Sequence, residues 1–126
     1  MAHREHSHRG LLVSEQSSDV AAVLSVAGAI DMVTAPQLRV HVDTVLSRRP
    51  TALVIDLSLV EFLGSAGIGV LVQVRNNAVD MPFAVVAHGP ATSRPLQLLG
   101  IDKVFPIYPC VADAMNSLRL ATDEVG

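Results

Sequence analysis

Two apolar stretches follow a polar segment at the start of the chain. Residues 11–15 and 20–27 are apolar stretches separated by a polar cluster at residues 16–19, which predicts a hairpin of two antiparallel strands. Residues 1–10 hold three histidines, two arginines and one glutamate without apolar periodicity. They are predicted to form a flexible, solvated arm that precedes the domain.

Helical spacing of apolar residues begins after Thr34. Thr34 and Gln37 match a capping box, and Pro36 falls in the first turn, where its missing N–H is harmless. One face then carries Leu38, Val42, Val45 and Leu46, and the helix is predicted to end at the basic residues 48–49 and Pro50.

The rest of the chain alternates between short apolar runs and helical spacing. Further strands are predicted at residues 51–57, 83–87 and 104–108, and further helices after Ser65 and at residues 92–99 and 111–118. The order β-β-α-β-α-β-α-β-α predicts an α/β domain. We expect a mostly parallel mixed sheet with an N-terminal antiparallel hairpin and about four helices, over residues 11–121, followed by a tail at residues 122–126.

Composition narrows the class of protein. With 126 residues, 50% of them hydrophobic, and a mean hydropathy of +0.44, the chain suits one domain with a buried core. No apolar run approaches the roughly 20 residues of a spanning helix, and the N-terminus does not match a signal peptide. The single cysteine, Cys110, favours a cytoplasmic setting. A net charge of -3 and 3% aromatic residues argue against nucleic-acid binding.

Candidate chemistry concentrates where the strand at residues 51–57 leads through a glycine-rich loop into a helix. Ser65 is predicted as the N-cap of that helix, and a phosphoacceptor role is the functional alternative. As a nucleophile, Ser65 would need a base such as His88, but Leu63 replaces the first glycine of a nucleophile elbow. No Gly-Lys-Ser/Thr motif is present, so no nucleotide cofactor is predicted. His3, His6 and His8 could bind a transition metal, although a solvated arm without metal is the favoured interpretation.

Three motifs carry a family resemblance. Asp31-Met-Val-Thr34, Asp56-Leu-Ser58 and Phe62-Leu-Gly-Ser-Ala-Gly-Ile68 together resemble a single STAS domain of the anti-sigma factor antagonist family, over about residues 11–120. The resemblance implies that Ser65 is phosphorylated by an anti-sigma factor that is also a serine kinase. The unmodified form would bind that kinase and free a sigma factor, and a serine phosphatase would reset the switch.

The resemblance also assigns roles around Ser65. It implies support of the Ser65 loop by Asp56 and Ser58, and a partner-binding surface made of Asp31, Thr34, Gly64, Ala66, Gly67 and Ile68. From residue type alone, Asp56 is equally expected to bond loop amides and Asp31 to be a turn residue. This chain departs from the family pattern at Gly64 and Ala29, where acidic residues are usual, and at Ala66, where a second serine is common. The alternative is a STAS binding subunit that works without phosphate, in a lipid-transport ABC complex or a stress-sensing assembly. The sequence leaves the oligomeric state open.

Overall fold

Six strands form one mixed sheet in the part of the chain that the structure describes, and they lie in the order in which they follow along the chain. The structure is a computed structural model that describes residues 2–8, 10–78 and 80–125, with side chains over residues 10–78 and 80–119. β1 pairs antiparallel with β2, β2 pairs antiparallel with β3, and the remaining neighbours are parallel. The strands are β1 (Ala2–His8), β2 (Leu11–Ser17), β3 (Ala22–Ile30), β4 (Leu53–Leu63), β5 (Phe83–Val86) and β6 (Ile107–Tyr108).

Four helices pack on the two faces of this sheet. They are α1 (Ala35–Leu46), α2 (Ser65–Asn77), α3 (Ser93–Leu98) and α4 (Val111–Val125), with a short 3-10 turn at Ile101–Lys103. One face is covered by α1, α2 and the buried Leu96 of α3, and the other face packs against α4. The predicted fold class, a mostly parallel α/β sheet that begins with an antiparallel hairpin, is confirmed.

The predicted helix faces account for the larger core. Leu38, Val42 and Val45 of α1 are buried, and so are Ile68, Leu71 and Val74 of α2. They pack onto the inward side chains of β4, which lies between β3 and β5. A fully buried leucine or valine contributes about 1.5–3 kcal/mol relative to an exposed one, so this contact holds α1 and α2 firmly on the sheet.

The ends of the domain differ from the prediction. Ala2–His8 pairs along β2 as an edge strand, whereas a solvated arm was predicted, because the backbone of a polar segment can still complete the edge of a sheet. Gly10 permits the reversal between β1 and β2 with a φ of +76°. At the other end, α4 continues to Val125 and includes most of the predicted tail, since residues 120–121 and 124 are good helix formers.

β4 is also longer than predicted. Residues 58–63, predicted as a connector, continue the strand to Leu63. Two register shifts against β3, between Ser25 and Ala27 and between Gly28 and Ala29, place extra residues in β4. Such bulges break the regular alternation of inward and outward side chains, and the sequence pattern therefore loses its strand signal there.

Candidate functional site

Two loops meet where β3 and β4 end. These neighbouring strands are parallel, so the loop from β3 to α1 and the loop from β4 to α2 leave the same edge of the sheet. The Gly64 N–H donates to the Ile30 carbonyl at 2.9 Å and joins the two loops directly. Most of the residues predicted for the partner surface lie in these loops or in the first turn of α2.

The first loop is ordered by Asp31 and Thr34. The Asp31 carboxylate accepts hydrogen bonds from the Val33 N–H at 2.9 Å and the Thr34 N–H at 3.0 Å. The buried Thr34 hydroxyl accepts from the Asp31 N–H at 2.9 Å and donates to the Ala29 carbonyl at 2.7 Å. The N–H groups of Thr34 and Val33 lower the pKa of Asp31, because they stabilise its ionised form.

The predicted capping box does not form. Thr34 precedes α1, but its hydroxyl makes no cap hydrogen bond to the first turn. The Gln37 Oε1 is buried and has no hydrogen-bond partner among the described residues. The Asp31 carboxylate accepts the hydrogen bond from the Thr34 N–H that the Gln37 side chain would accept in a capping box. The turn at Asp31 therefore forms in place of the capping box.

This loop exposes two apolar side chains. Met32 is 83% exposed and Val33 is 69% exposed, although both follow a strand that is otherwise well packed. The Asp31 and Thr34 hydrogen bonds on either side fix the backbone that carries them. Large apolar side chains held rigidly in solvent are typical of contact surfaces, where methionine is also enriched.

Ser65 is the first residue of α2 rather than its N-cap. The cap position is Gly64, which is extended with φ of -87° and ψ of 176°, and no side chain caps this helix end. Ser65 is exposed, and its hydroxyl has no hydrogen-bond partner among the described residues. The N-cap prediction is therefore wrong by one position, and glycine is itself well tolerated at an N-cap.

The first turn of α2 packs closely on the end of β3. A Cβ on Gly67 would lie 2.5 Å from Cγ2 of Ile30 and 2.8 Å from Cδ1 of Leu63. Ile68 is buried, and its N–H donates to the Gly64 carbonyl at 3.1 Å. Gly67 and Ile68 therefore hold the start of α2 against the sheet, and the half-buried Ala66 lies at the surface beside Ser65.

A shallow groove of 430 Å³ separates α1 from α2 next to Ser65. Its walls are Met32, Ala35, Pro36, Arg39, Ala66, Gly69, Val70 and Gln73. The Arg39 guanidinium pairs with Asp43 at 3.0 Å and donates to the Gln73 Oε1 at 2.7 Å, which bridges the two helices. Sequence reasoning missed Met32, Arg39 and Gln73, although the apolar pair Met32-Val33 between Asp31 and Thr34 was a usable signal.

Asp56 and Ser58 are hydrogen-bonded to each other in β4. The Asp56 carboxylate accepts from the Ser58 N–H at 2.9 Å and from the Ser58 hydroxyl at 2.5 Å, within the first bulge of β4. In the described residues, neither side chain is hydrogen-bonded to the loop before α2. In the bulge the Asp56 carboxylate accepts a hydrogen bond from a nearby backbone N–H, which is a common role of aspartate. Support of the Ser65 loop by Asp56 and Ser58 stays a prediction.

Three remaining expectations concern catalysis, metals and membranes. In the described part of the chain, no hydrogen bond joins Ser65 to the exposed His88. His3, His6 and His8 fall outside the residues whose side chains are described, so metal binding by them stays a prediction. Among the described residues, no helix has the length and apolar character needed to cross a membrane.

The comparisons with known proteins agree on one protein family. A family model described as the STAS domain matches residues 12–114. The anti-sigma-F factor antagonist RsfB of Mycobacterium tuberculosis is 44% identical over 99 residues, which cover 78% of this chain and 81% of that relative. The crystal structure of an anti-sigma factor antagonist from Mycobacterium paratuberculosis has 45% identity and a TM-score of 0.84, over 90% of this chain and 97% of that one.

More distant structures share the fold alone. The Bacillus cell fate determinant SpoIIAA in its phosphorylated form has 15% identity and a TM-score of 0.61, over 93% of this chain and 99% of that one. The arrangement of strands and helices is therefore kept at identities where most surface residues differ.

Proposed function

Because this chain belongs to the STAS domain family and is related to its anti-sigma factor antagonists, we propose that it binds an anti-sigma factor and thereby frees a sigma factor. The relatives are named as antagonists of anti-sigma factors, including the anti-sigma-F factor. Proteins of this family are regulatory binding proteins, and this chain is accordingly not an enzyme.

The binding surface that we propose has Ser65 at its centre. The observation that carries the proposal is an exposed serine at the start of a 13-residue helix, with a hydroxyl that the helix does not use as a cap. Met32 and Ala66 line the same groove next to it, and Val33 extends the apolar area. An apolar surface of this kind suits a protein partner.

Asp31 and Thr34 contribute by fixing the backbone of the first loop. Their side chains are bonded to Val33, to each other and to Ala29, so they shape the surface. Gly64, Gly67 and Ile68 act in the same way for the second loop, through the Ile30 contact and the first turn of α2. Among the residues predicted for partner binding, Ala66 has the most direct access to the partner.

Phosphorylation of Ser65 is the regulation that we propose, with an anti-sigma factor of the serine kinase type as the enzyme and a serine phosphatase as its opponent. A phosphate adds a charge of about -1.5 to -2 and would gain from the helix dipole and the free N–H groups of the first turn. The nearest described cation in the groove, Arg39, is already bonded to Asp43 and Gln73. The added charge would therefore face the partner and oppose binding.

A cytoplasmic location, the lack of nucleic-acid partners and the absence of membrane insertion stay predictions. They are supported by the acidic balance, the low aromatic content and the single cysteine.

The experiment compares Ser65→Glu and Ser65→Ala with the unmodified chain. Each is used as bait in the cytosol of the source organism, and an anti-sigma factor identified by mass spectrometry is then purified for titration calorimetry. We expect Ser65→Ala to bind like the unmodified chain and Ser65→Glu to bind at least about tenfold more weakly, a loss of about 1.4 kcal/mol. Incubation of the unmodified chain with that factor and ATP should add one phosphate, which Ser65→Ala should not accept.

Ser93→Glu is the matched control. Ser93 is the first residue of α3 as Ser65 is of α2, so both variants add one negative charge at a helix N-terminus. Ser93→Glu should bind as the unmodified chain does. Stable capture of a transport or scaffold subunit that is indifferent to Ser65→Glu would instead favour the phosphate-independent binding subunit.

A further inference from the structure

An exposed apolar strip crosses the face of the sheet on which α4 lies. On this face α4 packs over Ala52, Val54, Ala84 and Val86, near the beginnings of the parallel strands. Beyond it, the register aligns Leu12 of β2 with Ala27 of β3, and Ala27 with Leu59 of β4. Leu59 is 70% exposed and Leu12 is 43% exposed, so the row is open to solvent.

The strip continues toward the end of β4. Ala29 pairs with Phe62, which is 54% exposed. Beside the row is a cavity of 430 Å³ whose lining includes Leu12, Ala27, Ala29 and Glu61. We call Leu12, Ala27, Ala29, Leu59 and Phe62 the sheet-face strip.

The bulges of β4 explain why these side chains point outward. Each bulge adds a residue between two inward-facing positions, so Leu57, Val60 and Leu63 stay buried while Leu59 and Phe62 are turned to the open face. A solvated face of a sheet normally carries polar residues, as Ser14 and Ser25 do lower on the same face. A continuous apolar row on three strands is typical of a surface that another chain covers.

The negative charges beside the sheet-face strip restrict which kind of partner can bind to it. Asp56 and Glu61 flank the strip on β4, and neither carboxylate is in an ion pair within the described residues. On the described strands β2 to β4, the chain has no lysine or arginine. A second copy docked by two-fold symmetry would bring the same acidic edges together, whereas a basic partner would neutralise them.

The width of the strip favours a helix. Three neighbouring strands span about 10 Å at their usual spacing of about 4.8 Å, and an α-helix with its side chains is about 10 Å across. α4 already shows that this face accepts a helix, through apolar side chains at positions 111, 114, 115 and 118. The open half of the face would accept a second helix beside it.

We propose that the sheet-face strip binds one amphipathic helix of a partner protein, with its apolar stripe on Leu12, Leu59 and Phe62 and with lysine or arginine residues toward Asp56 and Glu61. The proposal does not depend on phosphorylation of Ser65. It adds a second contact surface, on the sheet face opposite the groove between α1 and α2, and the Phe62 ring at its end lies close to Gly64, the residue before Ser65.

The test uses two synthetic helical peptides of about 18 residues, which is five turns. Both carry the same leucine stripe, and their polar faces are lysine in one and glutamate in the other. Binding of each fluorescently labelled peptide to the full chain is measured by anisotropy at low ionic strength. We expect the lysine peptide to bind at least about tenfold more tightly than the glutamate peptide.

Variants locate the peptide on the molecule. Leu59→Ser and Glu61→Lys should each weaken the lysine peptide about fivefold or more, and Glu61→Lys should reduce the preference for lysine over glutamate. The control is Leu98→Ser, which removes an exposed leucine from α3, away from the strip, and should leave binding unchanged.

Three results would overturn the proposal. Equal affinity for the two peptides would refute the charge argument, and an equal loss of affinity with Leu98→Ser would place the peptide elsewhere. A dimer in light scattering that Leu59→Ser converts to a monomer would show that a second copy covers the strip.

Discussion

Replacing Gly67 with alanine tests the packing that positions the Ser65 loop. The new Cβ would lie 2.5 Å from Cγ2 of Ile30 and 2.8 Å from Cδ1 of Leu63, whereas ordinary contacts of this kind begin at 3.4 Å. Ile30 is fully buried, so its methyl group cannot retreat without moving other core side chains. Overpacking of this kind costs about 1–3 kcal/mol, and the helix propensity of alanine over glycine returns up to about 1 kcal/mol.

We therefore expect Gly67→Ala to lower the free energy of unfolding by about 1–2 kcal/mol, since the overpacking outweighs the gain in propensity. Gly69→Ala is the matched control on the same helix, because a Cβ there would meet nothing within 4 Å. It should stabilise the chain by about 0.5–1 kcal/mol. Urea and thermal denaturation followed by circular dichroism measure both, and melting temperatures should shift in opposite directions by about 4 °C per kcal/mol.

The outcome that refutes this reasoning is a Gly67→Ala chain as stable as the unmodified one. It would mean that α2 lies farther from Ile30 than the structure places it. A loss of equal size in Gly69→Ala would point to a general effect of alanine in this helix, independent of the close contact at Gly67.

Four further predictions rest on the described contacts. Arg48 pairs with the largely buried Glu15 at 2.6 Å, so Arg48→Ala should cost about 1–3 kcal/mol in urea denaturation, and a change within error would contradict it. Thr34→Val removes a buried hydroxyl that joins two backbone groups, and it should cost about 1–2 kcal/mol and raise the pKa of Asp31, measured by NMR titration. In the unmodified chain, the midpoint of the Asp31 titration should lie below pH 3.8, because the fold lowers the pKa of this carboxylate. The stabilisation that ionised Asp31 gives the folded state is then present above pH 3.8 and is lost as the pH falls through the lowered pKa. A midpoint above pH 3.8 would reverse the sign of this pH dependence. Ser65→Glu should unfold at the same temperature as the unmodified chain or slightly higher, because a carboxylate is favourable at a helix N-terminus, and a lower temperature would contradict the helix-start geometry.

The sequence predicted those elements in which local preference and core packing agree. The apolar spacing of α1 matches the side chains that it buries, and the short apolar runs match β4 and β5. Gly100 directly follows the helix predicted at residues 92–99, and its positive φ of +71° is typical of a glycine just past a helix end. Each of these features depends on one short segment of the chain and on its contact with the sheet, so the sequence of that segment is enough to predict it.

The prediction failed where several local interactions compete for one group. Thr34 and Gln37 have the spacing of a capping box, yet Asp31 lies closer in sequence and takes the N–H that the box requires. Asp56 likewise accepts from the nearby Ser58 N–H, within a bulge of β4. The geometry of a turn or bulge decides such competitions, and a sequence pattern does not contain it.

Exposed apolar residues carry the functional argument, and residue type alone does not reveal them. Met32, Val33, Leu59 and Phe62 would each be assigned to the core from their residue type, whereas the structure exposes all four. Met32 and Val33 are held out by a hydrogen-bonded loop, and Leu59 and Phe62 are turned out by bulges. The hydrogen-bonded loop and the bulges are both features of the backbone. The exposed apolar surface therefore follows from the fold and cannot be predicted from the hydropathy of the sequence.

The rigid attachment of α2 decides how a charge at Ser65 could act. Gly67 packs against Ile30, and the Gly64 N–H is bonded to the Ile30 carbonyl, so the start of α2 is fixed to the sheet on two sides. A phosphate on Ser65 would point outward from this fixed turn and would interact favourably with the N-terminus of α2, so it would not displace the helix. The proposed switch would therefore change the charge of a constant surface, and the partner would detect it by electrostatic repulsion and the cost of desolvating the phosphate.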